Sequence, residues 1–272
     1  MPAVPADPAN LRILIVNDDG IHAPGIERME AFAHGLSDNV WIVAPEFDQS
    51  GTGHSLTLVD PIRIRQLGEK KFAVRGTPTD CVVMARNQIM QDALPSLLLS
   101  GVNRGLNAAE DVTYSGTIAG AMEATLLGIP AICLSQAFRD RNDVKWQTAE
   151  RHGPDLLARL VAHGWPADTF LNVNFPAVEP DEVKGVRITR QGQRGQSSLQ
   201  ITDRIDARGF PYYWLHLYHE KNVYPEDTDL AALDADYISV TPLQLDLTNH
   251  AAMDSLHATL AEPGPVPDKT GD

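Results

Sequence analysis

The stretch Ile13-Leu-Ile-Val-Asn-Asp-Asp-Gly-Ile21 reads as a short buried strand that stops at Asn17, two adjacent carboxylates and a glycine. An unpaired carboxylate at the end of a buried strand is costly, and two side by side repel, so Asp18 and Asp19 point to a cation that offsets their charge. In open α/β sheets ligands bind beyond the carboxyl ends of the strands, which is where this pair projects. The alternative is an ordinary strand-to-helix turn with an Asp as N-cap, which accounts for one carboxylate more readily than for two. From Pro24 onward, Ile26, Met29 and Ala33 fall at i, i+3 and i+7, the spacing of a helix stripe, and Val40 to Ala44 reads as the next strand. Strand, helix and strand make a βαβ unit.

Further strand-like runs lie at Leu97 to Leu99, Ala131 to Leu134 and Phe170 to Val173, with helical patterns around Thr79 to Gln91, Gly116 to Leu127 and Thr148 to His163. This alternation predicts an α/β fold with a Rossmann-like, doubly wound, mostly parallel sheet over residues 11–180. Pro154, inside the last helical pattern, predicts a kink or a later start. Leu56 to Val74 is β-rich without a helix and reads as an antiparallel extension. Beyond residue 180 the pattern changes: Val186 to Thr189, Tyr212 to Tyr218 and Tyr237 to Val240 read as strands, separated by polar pieces such as Gly192-Gln-Arg-Gly-Gln196, and no long helix is expected before Leu247. Residues 181–234 are thus expected as a β-hairpin-rich accessory or oligomerisation segment that covers the sheet or reaches a neighbouring subunit. A final strand and helix over 235–260 return to the core or to a partner, and 262–272 form a disordered tail.

With 43% hydrophobic and 21% charged residues, the 272-residue chain has the balance of a soluble globular protein. Its 36 acidic against 22 basic residues, a formal charge of −14, argue against binding nucleic-acid polymers or anionic membranes, both of which need basic patches. A phosphate substrate on so acidic a protein needs a cation. The first ten residues lack the basic and apolar regions of a signal peptide, and no window of about 18 apolar residues follows, so a cytoplasmic location is expected. Cys81 and Cys133 sit in apolar runs and read as reduced core residues rather than as a disulfide or metal pair.

Four loops are richer in small and oxygen-bearing residues than turns require. The first is Asn17-Asp-Asp-Gly20. The second, Asp48-Gln-Ser-Gly-Thr-Gly-His-Ser-Leu-Thr57, offers Ser50 as its best ligand. The third, Ser100-Gly-Val-Asn-Arg-Gly-Leu-Asn107, offers an Asn carbonyl, a neutral oxygen suited to Mg²⁺ or Mn²⁺. Either Asn taken alone is explained as a turn residue. The fourth, Tyr114-Ser-Gly-Thr117, precedes a helical stripe; Ser115 or Thr117 caps that helix, whose first N–H groups suit a phosphate. Two carboxylates, a hydroxyl, an amide oxygen and a helix start make a hard-cation site for phosphoryl chemistry. Zinc is disfavoured because no His/Cys spacing accompanies the Asp pair, although His22 and His54 lie in these loops. Walker, G-x-S-x-G and G-x-G-x-x-G signatures are absent.

These motifs, with Val43-Ala-Pro-Glu46, Arg75-Gly-Thr-Pro-Thr-Asp-Cys81, Asp111-Val-Thr-Tyr-Ser-Gly-Thr117, Leu171-Asn-Val-Asn-Phe-Pro176 and Thr241-Pro-Leu-Gln-Leu-Asp-Leu-Thr248, follow one another in an order that resembles SurE, the stationary-phase survival family of metal-dependent 5′/3′-nucleotidases. The resemblance runs from Arg12 to about Leu260. It implies one divalent cation per subunit, Mg²⁺ or Mn²⁺, held by Asp18, Asp19, Ser50 and Asn103. It further implies hydrolysis of nucleoside monophosphates, with Asn107, Ser115, Gly116 and Thr117 near the phosphate; the loops themselves add Asn17 and His54 as candidate substrate contacts, water activated by the ion as nucleophile and Asp18 or Asp19 as base. A homodimer or homotetramer built through C-terminal elements, and activity on short polyphosphate, belong to the same implication. The chain departs from the commonest family pattern at Gln49, His54 and Ala109-Glu110, where that pattern has Arg, Asn and Gly-Asp. None of these is a carried-over ligand; the changes bear on substrate preference and loop shape. Two rivals stay open: a non-catalytic nucleotide-binding regulator, and a phosphatase that forms a covalent aspartyl-phosphate.

Overall fold

A computed structural model describes residues 2–3, 10–194, 198–218 and 222–260. The tail expected at 262–272 lies outside the described residues. The elements, in chain order, are β1 (Pro2–Ala3), β2 (Ile13–Val16), α1 (Pro24–His34), β3 (Val40–Pro45), β4 (Arg63–Gly68), β5 (Lys71–Arg75) and α2 (Pro78–Met84), which runs on as a π-helical turn to Ile89. Next come β6 (Leu97–Arg104), α3 (Gly116–Leu126), β7 (Ala131–Gln136), α4 (Trp146–His163), β8 (Trp165–Pro166) and β9 (Thr169–Phe175). The chain ends with β10 (Val186–Ile188), β11 (Ser198–Ile205), β12 (Pro211–Tyr218), α5 (Asp229–Asp234), β13 (Ile238–Gln244) and α6 (His250–Leu260).

Nine strands form one sheet in the order β10-β13-β9-β7-β6-β2-β3-β5-β4. Strands β3, β2, β6, β7 and β9 run parallel, as does β5 beside β3. The edges are mixed, since β4 is antiparallel to β5 and β13 to β9. Strand alternation sorts the core into two layers: Ile13 and Ile15 face α1 and α4, with Ile26, Met29, Leu156 and Leu157, while Leu14 and Val16 face α2 and α3, with Cys81, Val82, Ile118 and Ala121. Helices thus cover both faces, as a doubly wound sheet requires. After β2 the chain lays down β3 and β5 on one side, then crosses back to place β6 on the other, so the switch point of the sheet lies beside β2.

Three details differ from the sequence expectation. Helix α4 starts at Trp146, earlier than expected, and runs unbroken through Pro154, because buried Ala149, Leu156, Leu157 and Val161 anchor it on the sheet and outweigh the hydrogen bond that the proline forgoes. Strand β10, in the segment expected to be accessory, pairs in parallel with β13 and so completes the main sheet. The β11–β12 hairpin has a strand, β11, that the sequence reading passes over, since its Ile201 and Ile205 are exposed and give no buried face to read. Cys81 and Cys133 are free and buried in the core, as expected. Among the described residues no helix is long and apolar enough to cross a membrane.

Candidate functional site

The loops after β2, β3 and β6 meet the start of α3 at the carboxyl end of the parallel strands. Gly20 adopts φ +100°, and the Asn17 side-chain amide donates to its carbonyl at 2.8 Å, closing the turn that aims Asp18 and Asp19 outward. Asn17 is itself buried, and its Oδ1 has no hydrogen-bond partner. The second loop is fixed at several points: the Gln49 N–H donates to the Asp18 carbonyl at 2.8 Å and the Gly53 N–H to the Tyr114 carbonyl at 3.0 Å. Its far end is held by Asp80 in the first turn of α2, whose carboxylate accepts the Thr57 N–H at 3.0 Å and the Thr57 hydroxyl at 2.6 Å. Within the loop, Asp48 Oδ1 accepts both the N–H and the hydroxyl of Ser50, at 2.8 and 2.6 Å, so the Ser50 lone pairs stay free of that contact.

From β6, the Asn103 side-chain amide donates to the Gly105 carbonyl at 2.8 Å, which turns its Oδ1 the other way, and the Arg104 N–H donates to Asp19 Oδ2 at 3.1 Å. Asn107 is clamped from β9: its N–H donates to Asn174 Oδ1 at 2.8 Å, its carbonyl accepts from Asn172 and Asn174 at 2.7 and 3.1 Å, and its side chain donates to Ser135 at 2.9 Å. At the start of α3, Ser115 Oγ caps the Ile118 N–H at 3.1 Å, and the Thr117 hydroxyl donates to Asp18 Oδ1 at 2.5 Å. Gly116 admits no side chain, because a Cβ there would lie 2.7 Å from Asp18 Cβ.

Asp18, Ser50, Asn103, Asn107 and Ser115 line one cavity of about 240 Å³, with Tyr114 and Phe138 on its wall. Asp19 lines an adjoining cavity of about 270 Å³ together with Asp48 and His22, and Arg104 borders both. Gly116 and Thr117 stand behind this surface and act on Asp18. Asn17 shapes the first turn from below. His54 points elsewhere: its Nε2 lies 2.9 Å from Glu123 Oε2, on the body of α3. Arg104, Asp48 and Asp80 are contributors to which the sequence reading assigns no role, although each lies in a stretch that it quotes.

Burial, despite the Thr117 hydrogen bond, raises the pKa of Asp18. Burial first and the Asp18 charge second push Asp19 up to about 6. Two carboxylates that burial disfavours as anions, each with a further carboxylate nearby, Asp48 for Asp18 and Asp18 for Asp19, are short of positive charge. Among the described residues no three His, Cys, Asp or Glu side chains are grouped to hold a metal, so a cation here also needs neutral oxygens, which Ser50 and Asn103 provide. An all-oxygen donor set with open positions fits a hard divalent cation such as Mg²⁺ or Mn²⁺.

The family described as Survival protein SurE matches residues 13–198. The 5′-nucleotidase SurE of Rhodopseudomonas palustris strain HaA2 is 55% identical over 254 residues, covering 92% of this chain and 100% of that protein. The 5′-nucleotidase SurE of Parvibaculum lavamentivorans is 53% identical over 259 residues, covering 93% and 94%. The crystal structure of the SurE protein from Aquifex aeolicus superposes with a TM-score of 0.78 at 40% identity, covering 91% of this chain and 98% of that one. The matched segment contains β2, β3, β6 and α3 with all four converging loops, and the relatives align over nearly their whole length. On these grounds the chain belongs to the SurE survival-protein family.

Proposed function

We propose that this chain is a cytoplasmic phosphomonoesterase that hydrolyses nucleoside 5′- and 3′-monophosphates to nucleoside and phosphate, with one Mg²⁺ or Mn²⁺ per subunit. The observation that carries the reading is the meeting of Asp18, Ser50, Asn103 and Ser115, from four separate loops, around one cavity. The 5′-nucleotidase name of relatives at 53% and 55% identity supports the same reaction.

In this reading Asp18, Asp19, Ser50 and Asn103 hold the ion. When bound, it supplies Lewis-acid polarisation of a phosphoryl oxygen and a lowered pKa for the attacking water. The chain supplies the rest. Thr117 and Asp48 hold Asp18 and Ser50 in place through their hydrogen bonds. Ser115, at the start of α3, and the Asn107 side chain receive the phosphate oxygens, and Arg104 adds positive charge at the seam of the two cavities. Asp19 is the better placed of the two carboxylates to take a proton, since Thr117 occupies Asp18 Oδ1 and α3 packs against its side chain, whereas Asp19 is partly exposed. Short polyphosphate presents the same terminal group and is a side substrate.

The hairpin leaves Tyr213, Trp214 and Leu215 exposed, and α6 has no buried residue, with Met253, Leu256 and Leu260 exposed. These apolar faces support assembly into a homodimer or homotetramer through C-terminal elements.

Phosphate release from a panel of nucleoside monophosphates, with Mn²⁺, with Mg²⁺ and with EDTA, tests the reading. Metal-dependent release that Asp19→Asn abolishes is expected. No release by the wild-type protein with any ion would overturn it in favour of a nucleotide-binding regulator.

A further inference from the structure

The substrate-side loop from Asn107 to Thr117 is held at its ends by β9 and by α3, but its middle, the 3₁₀ turn Ala109–Thr113, lies off the sheet. What holds that middle comes from far along the chain. Asp229, fully buried at the start of α5, accepts the Ala109 N–H through Oδ2 at 2.9 Å and the Gly192 N–H through Oδ1 at 2.8 Å. Arg194, also buried, donates to the Ala108 carbonyl at 2.9 Å and pairs with Asp111 Oδ2 at 2.8 Å. The Arg194 N–H in turn donates to both Glu110 carboxylate oxygens, at 2.9 and 3.1 Å, and the Gln191 side chain donates to the Ala109 carbonyl at 2.8 Å.

A surface loop does not need a buried guanidinium and a buried carboxylate to stay folded; removing both from water is costly unless their geometry is used. Here each reaches the loop between Asn107 and Ser115, which line the cavity on the substrate side: Asp229 at the Ala109 N–H, Arg194 at the Ala108 carbonyl and the Asp111 carboxylate. We infer that Arg194 and Asp229 are positioning residues that hold the Asn107–Thr117 loop in its phosphate-receiving conformation. The kinetic part of this inference rests on the nucleotidase reading; the structural part does not.

The test compares Arg194→Met, Arg194→Lys and Asp229→Asn with wild type in the full chain. Hydrogen exchange of the 107–117 amides, calorimetric Mn²⁺ binding without substrate, and kcat and KM for AMP are measured. In Arg194→Met, exchange over 107–117 quickens by about tenfold or more while β2 and β6 stay protected. Mn²⁺ affinity stays within about threefold, because no ion ligand belongs to the clamp, and kcat/KM for AMP falls about tenfold, mostly through KM. Arg194→Lys, which keeps the charge but not the fork, recovers part of that loss. Unchanged exchange in 107–117 overturns the inference. So does a loss of Mn²⁺ affinity and protection across the whole protein with KM unmoved, which marks a merely structural role. An inactive wild type defeats the nucleotidase reading instead and leaves exchange to decide the clamp.

Discussion

The Thr117 hydroxyl in the first turn of α3 donates to Asp18 Oδ1 beyond the end of β2 at 2.5 Å, joining two residues 99 apart in sequence. Both are buried, so the bond fixes the orientation of a carboxylate that has little water to turn toward. Thr117→Val keeps the shape and removes the donor. It leaves Asp18 short of a partner, and is expected to lower stability by about 1–3 kcal/mol and Mn²⁺ affinity by about tenfold. Urea unfolding and calorimetric titration of the same samples check both numbers; wild-type affinity in the variant would remove Thr117 from the site.

The Asp pair gives the chelated protein a pH dependence of defined sign. The ordinary Asp value is 3.8, whereas burial and then the Asp18 charge hold Asp19 at about 6 in the folded chain. Between those values the native state binds more protons than the unfolded state, so this contribution to stability falls as pH rises and levels off above about 6. Asp18 shifts in the same direction. In EDTA, Asp19→Asn is expected to match wild type near pH 4 and to exceed it by about 2 kcal/mol at pH 7, after allowance for the partial exposure of Asp19. Saturating Mn²⁺ reverses the order. Denaturation curves of the two proteins that stay parallel across this range would contradict the electrostatic account.

Most of the parallel sheet was legible because its strands are short apolar runs and its helices carry stripes of regular period, as at Ile13 to Val16 and Ile26, Met29 and Ala33. The loops were legible through Asp18 and Asp19, whose adjacency no turn requires. What the sequence hides is partnership across distance. Nothing near Asn107 announces Asn172 and Asn174, which hold its backbone from β9, and nothing near Ala109 announces Asp229. Residue type also misleads: His54 looks like a substrate contact by its place in the loop, yet its ring is taken by Glu123. The accessory segment was hardest to bound, since β10 is a three-residue strand whose membership in the main sheet depends on β13 arriving some fifty residues later.

Ala109 is fully buried, and its φ of +54° is a conformation that favours glycine. Holding a non-glycine residue there costs about 1–2 kcal/mol. Against this, Ala109→Gly frees the unfolded chain by about 0.4–1 kcal/mol and empties a buried methyl worth about 0.8 kcal/mol. The terms nearly cancel, so Ala109→Gly is expected to change stability by less than about 1 kcal/mol, which accounts for alanine being tolerated. Ala109→Val adds a β-branched side chain to the same backbone in a fully buried place and is expected to cost about 3 kcal/mol. Thermal unfolding of both variants decides whether φ or packing dominates here.

The two hydrolytic routes differ in where oxygen from water ends up. If Asp18 attacked phosphorus, a single turnover in ¹⁸O-water would return the label to its carboxylate when the acyl phosphate is cleaved at carbon, or to phosphate when cleaved at phosphorus. A trapped aspartyl-phosphate would then be common to both outcomes. The packing around Asp18 argues against such a nucleophile: Thr117 engages one oxygen, and the α3 backbone at Gly116 presses against its Cβ, leaving the side chain little freedom to approach phosphorus in line. Attack by water directly on phosphorus is therefore expected, with the label in phosphate and no phosphorylated Asp18 peptide in acid-quenched samples. A mass increment of phosphate on the peptide carrying Asp18 would reverse this assignment, and Asp19→Asn would then be expected to slow breakdown of that species rather than its formation.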